Sequence, residues 1–511
     1  MSRPDLDPKS LGDDELAAMI DRLVEESARR HHGRHLPASN PERPLGTENE
    51  NIPYAGRVFG PEEVVAASRS SLDFWLTLGP EGERFERSLA RELGVRRSML
   101  TNSGSSANLL AISSLTSHMI AGRRRLRPGD EVITCAAGFP TTVAPIIHNG
   151  LVPVLLDADP VTGNMRTELL EEALTKRTGA VMLAHALGNP FNLTRVLEFC
   201  REHDLWLIED NCDALGSTYT MGTSSASKLG LRPVGAQLAG GVTRPTGSWG
   251  DLSTQSFYPP HHITLGEGGA VNIVRSIALR RPIESMRDWG RDCWCPSGED
   301  NTCGKRFAWQ LGELPEGYDH KYTYSHLGYN LKPLDLQAAI GNVQLQRLSH
   351  FGSARRANWQ ALRTGLDARS DVFDFALPTH AVDWRAERGA QDTFSWEESG
   401  TRSDPSWFGF MILVREDAPF QAADLSRYLD RMEVGNRRLF GGNLVRQPAF
   451  LQLRRDRPDA FRVVGDLTGA DALMQRAVFV GTYPGLTGAM IDRMIDVLHS
   501  SPTKITPKTS K

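Results

Sequence analysis

Short apolar runs alternate with amphipathic segments through the first half of the chain. A bounded apolar run predicts a buried strand, whereas apolar residues recurring every three or four positions predict a helix. The predicted strands are Ser98–Thr101, Glu131–Cys135, Val152–Asp157, Gly179–Ala184 and Leu205–Asp210. The predicted helices between them are Ser106–His118, Arg166–Leu174 and Leu193–His203. We therefore expect an α/β fold with a mostly parallel sheet, and a ligand site beyond the carboxyl ends of its strands.

The hydrophobic pattern also divides the chain. Residues from Leu11 to about His31 repeat apolar positions at helical spacing, which predicts an N-terminal helical arm. The helix predicted at Pro333–Arg347 is placed to connect a large domain to a smaller C-terminal α/β domain. The predicted divisions are the arm at residues 1–50, the large domain at 51–345, the small domain at 346–499 and a disordered tail at 500–511.

One stretch of the large domain departs from the pattern. Ser217–Ser248 is rich in Gly, Ser, Thr and Pro and has little apolar periodicity. This composition predicts a surface insertion at about residues 218–247. Two further strands are predicted after it, at Leu252–Tyr258 and Gly269–Val274.

Composition and charge narrow the class of protein. The 511 residues carry 58 Lys and Arg against 62 Asp and Glu, a net charge of −4, which favours neither nucleic acid nor an anionic membrane as partner. The sequence has no apolar run long enough for a membrane span, and its polar N-terminus lacks the core of a signal peptide. We therefore expect a cytoplasmic protein.

Six cysteines in a chain without a signal peptide are expected to be thiols or metal ligands rather than disulfides. Cys135 and Cys200 lie in apolar segments and are interpreted as packing residues. The other four are Cys212, Cys293, Cys295 and Cys303, of which the last three form a C-x-C-x7-C pattern. Four thiolates suit an iron–sulfur cluster and equally suit structural zinc, so spacing alone leaves both open.

Two loops after predicted strands carry candidate ligand groups. Thr101–Asn108 joins a strand to a helix, and Ser105 and Ser106 with the free N–H groups of the helix terminus suit a phosphate. A serine-rich helix cap has the same sequence features, so the pattern by itself favours neither interpretation. Phe139 follows another strand and is a candidate for stacking on a flat ring, or for core packing.

Asp210 ends an apolar strand, where a carboxylate is costly unless it has a partner. A protonated pyridine nitrogen is one such partner, since a carboxylate keeps the ring an electron sink. The alternative is an aspartate that caps a helix.

The segment Ser256–Gly269, with its Ser-Phe-Tyr-Pro-Pro-His-His start and Gly-Glu-Gly-Gly end, resembles the cofactor-lysine segment of the DegT/DnrJ/EryC1/StrS sugar aminotransferases. His261 stands at the lysine position. With a histidine at this position, the chain resembles the branch of CDP-4-keto-6-deoxyglucose 3-dehydrases, which have histidine in place of the lysine. Further matching motifs are Ile52–Gly56, Ser71–Leu76, Asn102–Asn108, Arg438–Asn443 and Tyr483–Thr487.

The resemblance implies a fold-type I aminotransferase fold and a set of site residues. Asp213 stands where the aminotransferases usually have Gln and the dehydrase branch has Asp. The implied cofactor ligands are Ser105, Ser106 and Ser256 for phosphate, Phe139 for ring stacking, Asp210 for the ring nitrogen and Asn330 for the phosphate of a neighbouring subunit. A homodimer with shared sites follows from the last of these.

The resemblance also implies that Cys212, Cys293, Cys295 and Cys303 bind a [2Fe-2S] cluster. The insertion separates Cys212 from the other three more widely than in the family pattern. A surface insertion need not move its two ends, since closing a longer loop costs little.

Histidine cannot form the Schiff base that lysine forms. The resemblance therefore implies a non-covalently held pyridoxamine 5′-phosphate (PMP) and a 3-dehydrase acting on a CDP- or dTDP-4-keto-6-deoxyhexose, with an external reductase or ferredoxin. Imidazole titrates near neutrality, which suits His261 as acid and base, and His262 is its neighbouring competitor. The alternatives are an aminotransferase using a displaced lysine such as Lys228, and a zinc-stabilised scaffold without activity.

Overall fold

The computed structural model describes residues 8–32, 51–231, 241–384 and 393–501. The helices in these ranges are α1 (Asp13–His32), α2 (Pro61–Asp73), α3 (Pro80–Leu93), α4 (Gly104–Ser114), α5 (Pro140–His148), α6 (Leu170–Ala173), α7 (Leu193–Glu202), α8 (Thr223–Lys228), α9 (Arg280–Arg287), α10 (Asp335–Gln346), α11 (Leu348–Gly365), α12 (Ala422–Arg431), α13 (Pro448–Asp456), α14 (Thr468–Arg476) and α15 (Gly488–His499). None of them is long and apolar enough to cross a bilayer.

The strands are β1 (Arg97–Thr101), β2 (Glu131–Cys135), β3 (Val152–Leu156), β4 (Thr178–Ala184), β5 (Trp206–Asp210), β6 (Thr218–Met221), β7 (Val242–Pro245), β8 (Leu252–Ser256), β9 (Gly269–Ile273), β10 (Phe373–Phe375), β11 (Ala381–Trp384), β12 (Phe394–Trp396), β13 (Arg402–Asp404), β14 (Gly409–Val414), β15 (Asn436–Arg438), β16 (Arg462–Val464) and β17 (Ala477–Gly481). β11 and β12 pair as an antiparallel ribbon.

The main sheet has eight strands in the order β1-β9-β8-β5-β4-β2-β3-β16. Only β9 runs antiparallel to its neighbours β1 and β8; the other pairings are parallel. This confirms the predicted α/β class with a mostly parallel sheet. The carboxyl ends of β2, β4, β5 and β8 meet at one edge, where a ligand site is expected.

Alternation of side chains explains why β4 is apolar along most of its length. On β4, Val181 and Leu183 pack into a cluster with α7, while Ala180 and Met182 pack into a second cluster with α4 and α9. Both faces of the sheet are therefore covered here, so successive positions of the strand are apolar.

A second sheet, β10-β14-β17-β15, is antiparallel throughout. One of its faces packs on α11, α12 and α15, and the other contributes to a cluster that includes residues of the main sheet region. At two places, a segment predicted to belong to one domain pairs with the other domain. β16, from the C-terminal part, pairs with β3 in the main sheet, and Ile52 pairs with Val434 beside the second sheet.

The described part of the insertion is packed structure, so the prediction of a surface excursion was wrong there. β6, β7 and the distant β13 form an antiparallel sheet. Tyr219 and Met221 are fully buried, while Thr218 and Thr220, which alternate with them along β6, are half-buried. This alternation of period two is only four residues long, which is why the Gly- and Ser-rich composition around it obscured the strand. Residues 232–240 and the tail from residue 502 lie outside the described residues.

Candidate active site

A cavity of about 360 Å³ opens at the carboxyl edge of the main sheet. Its wall is built from the loops that follow β1, β2, β5 and β8, together with residues of the second sheet. The predicted site residues that line it are Ser105, Phe139, Asp210, Cys212, Asp213, Ser256 and His261. The sheet thus brings together residues that lie far apart in the sequence.

The loop after β1 places the N-terminus of α4 at this cavity. Ser103 caps the helix, and its hydroxyl accepts the Ser106 N–H at 3.0 Å. A Cβ added to Gly104 would lie 2.5 Å from the Ser256 Cβ, so only glycine permits this approach of the two loops. Ser105 lines the cavity, whereas Ser106 does not. The helix terminus and Ser105 form a cradle suited to an anion.

The two acids at the end of β5 point to opposite sides of the sheet. Both oxygens of buried Glu209 accept main-chain N–H groups, from Gly247 at 2.8 Å and from Trp249 at 2.7 Å. Glu209 therefore anchors the turn before β8, and Asp210 is the acid that faces the cavity.

The Asp210 carboxylate is held mainly through one oxygen. Oδ2 accepts the Thr142 hydroxyl at 2.7 Å and the Asn108 amide at 2.8 Å. Oδ1 accepts the Cys212 N–H at 3.3 Å, and the carboxylate also contacts the Cys212 thiol. A carboxylate in this state can accept a further strong donor from the cavity, as the predicted ring N–H would be.

His261, in the loop after β8, pairs with Asp213, in the loop after β5. His261 Nδ1 lies 3.4 Å from Asp213 Oδ1, an electrostatic contact longer than an ordinary hydrogen bond, and both side chains are largely buried. Burial raises the pKa of Asp213, and the nearby Asp210 charge adds to this, while His261 and Arg355 oppose it. The Asp213 carboxylate, with its raised pKa, and the His261 imidazole are therefore placed to share a proton.

His262 is excluded as the competing base by its surroundings. It is 2% exposed, does not line the 360 Å³ cavity, and its Nε2 lies 2.6 Å from the Ser406 carbonyl oxygen. Because a carbonyl only accepts, Nε2 carries the proton. Burial lowers the pKa of His262 well below its usual range, and the Arg355 charge lowers it further.

No lysine of the described ranges lines the cavity. Lys228, the displaced lysine considered above, lies on α8 with 71% of its side chain exposed, and its Nζ is 3.5 Å from Glu198. Asn330 is exposed and does not line the cavity of its own chain either.

A model of the DegT/DnrJ/EryC1/StrS aminotransferase family matches residues 60–499. The chain belongs to this family. The prediction of the family from Ser256–Gly269 and the other motifs is thereby confirmed.

Two curated relatives, one of them with a 3-dehydratase name, match most of the chain. The dTDP-4-dehydro-2,6-dideoxy-D-glucose 3-dehydratase of Saccharopolyspora spinosa is 48% identical over 442 residues, 86% of this chain and 84% of the relative. The lipopolysaccharide biosynthesis protein RfbH of Salmonella typhimurium is 46% identical over 453 residues, 89% of this chain and 92% of the relative.

A solved structure shares the fold. The E. coli GDP-4-keto-6-deoxy-D-mannose-3-dehydratase with bound hydrated PLP superposes with a TM-score of 0.69, at 23% identity, covering 88% of this chain and 99% of that one. The predicted fold-type I architecture is thereby confirmed.

The four cysteines expected from the family branch are not gathered in this chain. The Cys212 Sγ lies in the cavity wall, and it would be 3.1 Å from a Cβ added to Gly104. Cys293 and Cys295 contact each other in the loop between α9 and α10. Within residues 8–32, 51–231, 241–384 and 393–501, no three His, Cys, Asp or Glu side chains form a group that could hold a metal ion. The C-x-C part of the pattern thus brings two thiols together, and among the described residues no third ligand completes a metal-binding group with them.

Several residues of the cavity escaped the sequence analysis. Asn108 lies one helical turn after Ser105 on α4, so helical spacing was a usable signal for it. Arg437 and Arg438 line the opening, and Arg437 lies over the Tyr54 ring at 4.1 Å. Burial lowers the pKa of Arg438, whose Nη2 donates to the Met474 carbonyl at 2.6 Å. Arg438 begins the matched motif Arg438–Asn443, but that motif carried no prediction that the arginine pair lies beside the strand-end loops.

Proposed function

We propose that this protein is a PMP-dependent 3-dehydrase that removes the C3 hydroxyl of a 4-keto-6-deoxy sugar nucleotide. The observation that carries the proposal is the pair His261 and Asp213 in a cavity that no described lysine lines. The 3-dehydratase names of the S. spinosa relative and of the E. coli structure support it. An aminotransferase with a displaced lysine is disfavoured, since Lys228 is exposed and paired with Glu198.

The cavity fits the cofactor at three points. The α4 terminus with Ser105 and Ser256 would hold the phosphate, Phe139 would stack on the ring, and Asp210 would bind the ring nitrogen. The cradle at Gly104, which a Cβ would fill, supports this assignment. When bound, PMP supplies an amine that condenses with the sugar ketone and a ring that accepts electrons.

His261 then moves the protons of the reaction. Its imidazole would take a proton from the carbon that carries the cofactor amine and would give one to the departing C3 hydroxyl, which leaves as water. Asp213, 3.4 Å from Nδ1, would orient the ring and stabilise the imidazolium. The two electrons that complete the loss of the C3 oxygen would come from the external reductase.

An anaerobic assay tests the proposal. PMP, a reductase and a panel of CDP-, dTDP- and GDP-4-keto-6-deoxyhexoses are incubated with the protein, and the products are identified by mass spectrometry. We expect loss of the C3 oxygen from at least one of them. Conversion only to 4-amino sugars, or no C3 oxygen loss from any member, would contradict the proposal.

We further propose that Cys212 and the three cysteines of the connection between α9 and α10 (the cysteine loop: Cys293, Cys295 and Cys303) bind a [2Fe-2S] cluster fed by an external reductase or ferredoxin. The contact between Cys293 and Cys295 and the hydrogen bond from Thr302 to Cys295 at 3.1 Å support a thiolate site there. Iron with acid-labile sulfide in the purified protein would support the cluster. Zinc alone would favour a structural site instead.

The exposed position of Asn330 supports a homodimer in which it serves the neighbouring site. Exposed apolar side chains near the α2 end, among them Phe74 at 73% and Leu76 at 53%, support a further chain on this surface. Mixing His261→Asn and Asn330→Ala chains tests the shared site. In a dimer with shared sites, one mixed site carries neither substitution, so activity returns on mixing; lack of recovery would contradict the shared arrangement.

A further inference from the structure

A buried arginine contacts the loop after β8, which carries His261 (the His261 loop). Arg355, on α11, is 1% exposed and does not line the 360 Å³ cavity. Burying a guanidinium is costly unless hydrogen bonds and an opposite charge compensate. Burial lowers the pKa of Arg355 to about 9, against the opposing charge of Asp213. The side chain is therefore still a cation at neutral pH.

The Arg355 guanidinium holds two main-chain carbonyls. Nη2 donates to the His261 carbonyl at 3.1 Å, and Nη1 donates to the Trp407 carbonyl at 3.2 Å. Its Nε has no hydrogen-bond partner in the described part of the chain. The guanidinium thus ties α11 and the segment before β14 to the loop that carries the candidate base.

Both main-chain polar groups of His261 are hydrogen-bonded. Its N–H donates to the Tyr258 carbonyl at 2.9 Å, and its carbonyl accepts from Arg355. Among the described residues, the side chain has a 3.4 Å contact with Asp213 and a ring contact with Phe408 at 5.3 Å between centroids. The two main-chain hydrogen bonds therefore hold the His261 backbone, from which the imidazole reaches Asp213.

We propose that Arg355 is a positioning residue for proton transfer, which holds the His261 imidazole in place through the His261 carbonyl. The inference rests on the proposed function, but the position of His261 can be examined separately. Arg355 does not line the cavity, and its two hydrogen bonds are to the main-chain carbonyls of His261 and Trp407.

Arg363 provides a matched control on the same helix. It is 8% exposed, its Nη1 donates to Asp367 at 2.7 Å, and it lies over the Phe375 ring at 4.6 Å. It makes no hydrogen bond to the His261 loop. Arg363→Met therefore removes a second buried guanidinium from α11 without releasing the candidate base.

The experiment compares PMP-loaded Arg355→Met, Arg355→Lys and Arg363→Met with the unsubstituted protein. Because displacing reacting groups by about 1 Å costs about 10²-fold, we expect Arg355→Met to lower kcat by about this factor. The KM for the sugar nucleotide and the Kd for PMP should stay nearly unchanged. Arg355→Lys, which keeps the charge and a donor, should recover part of kcat. Arg363→Met should lower Tm while leaving kcat unchanged.

Equal kcat values for Arg355→Met and the unsubstituted protein, or an equal loss in Arg363→Met, would overturn the inference. Inactivity of the unsubstituted protein would instead count against the proposed function. A crystal structure of Arg355→Met then still decides the positioning role. We expect a shifted His261 carbonyl and imidazole; an unmoved loop would overturn the role of Arg355.

Discussion

The strand-end cavity and the cysteine loop differ in how the chain holds them. The cavity residues follow the ends of parallel strands, and the sheet sets their separation. Cys293, Cys295 and Cys303 lie in the long connection between α9 and α10, which contributes no strand to a sheet among the described residues. The comparison teaches that strand ends set the spacing of site residues, whereas this connection does not bring its cysteines into a group that could hold a metal ion among the described residues.

The largest expected effect is on the proton-moving residue of the cavity. Replacing a general acid–base group typically costs 10²–10⁴-fold, so we expect His261→Asn to lower kcat by about 10³-fold. PMP binding, followed by absorbance, should change little because the phosphate cradle is separate. His350→Asn, at an exposed histidine of α11, is the control. An active His261→Asn protein would show that another group is the base.

The second effect concerns the cofactor contact at the end of β5. Losing a charged hydrogen bond costs about 1.5–3 kcal/mol, so we expect Asp210→Asn to weaken PMP binding by about 10- to 100-fold. Asp204→Asn, two residues before the start of β5 with 73% of its side chain exposed, serves as control. Equilibrium titration gives both constants. Unchanged affinity in Asp210→Asn would mean that the ring nitrogen lies elsewhere.

Cys212 lines the cavity, and it is also a proposed ligand of the iron–sulfur cluster together with the cysteines of the cysteine loop. Since a lost ligand costs at least about tenfold in metal affinity, we expect both Cys212→Ser and Cys293→Ser to lose most of their iron. Cys200→Ser, in the core, should keep it. Iron and sulfide are measured on anaerobically purified protein. Full iron in Cys212→Ser would exclude this residue as a ligand.

The smallest effect concerns the insertion. The buried Tyr219 hydroxyl bonds the His380 imidazole at 2.7 Å and the Thr194 hydroxyl at 2.9 Å. Tyr219→Phe should lower the free energy of unfolding by about 1 kcal/mol, measured by urea denaturation. Tyr322→Phe, at a tyrosine with 60% exposure, should have no effect. Equal stabilities would mean that the hydroxyl contributes nothing to holding the insertion.

The strand ends that carry the site residues could be predicted, because local sequence patterns mark them. The strand ends after which Gly104, Asp210 and His261 stand were located within two residues, because apolar runs and turn residues mark them. The His261 carbonyl and Arg355 are 94 residues apart and share no pattern, so their contact required the fold. The strands of the insertion were missed because Tyr219 and Met221 provide too short an alternation.

Reduction with borohydride tests the central claim most directly, since it traps a Schiff base between PLP and a lysine as a stable pyridoxyl-lysine. The protein is loaded with PLP, reduced, digested and mapped by mass spectrometry. With His261 at the lysine position and no described lysine lining the cavity, we predict that denaturation releases the cofactor and that no peptide carries it. A stoichiometric pyridoxyl group on Lys228, or on any other lysine, would contradict the account.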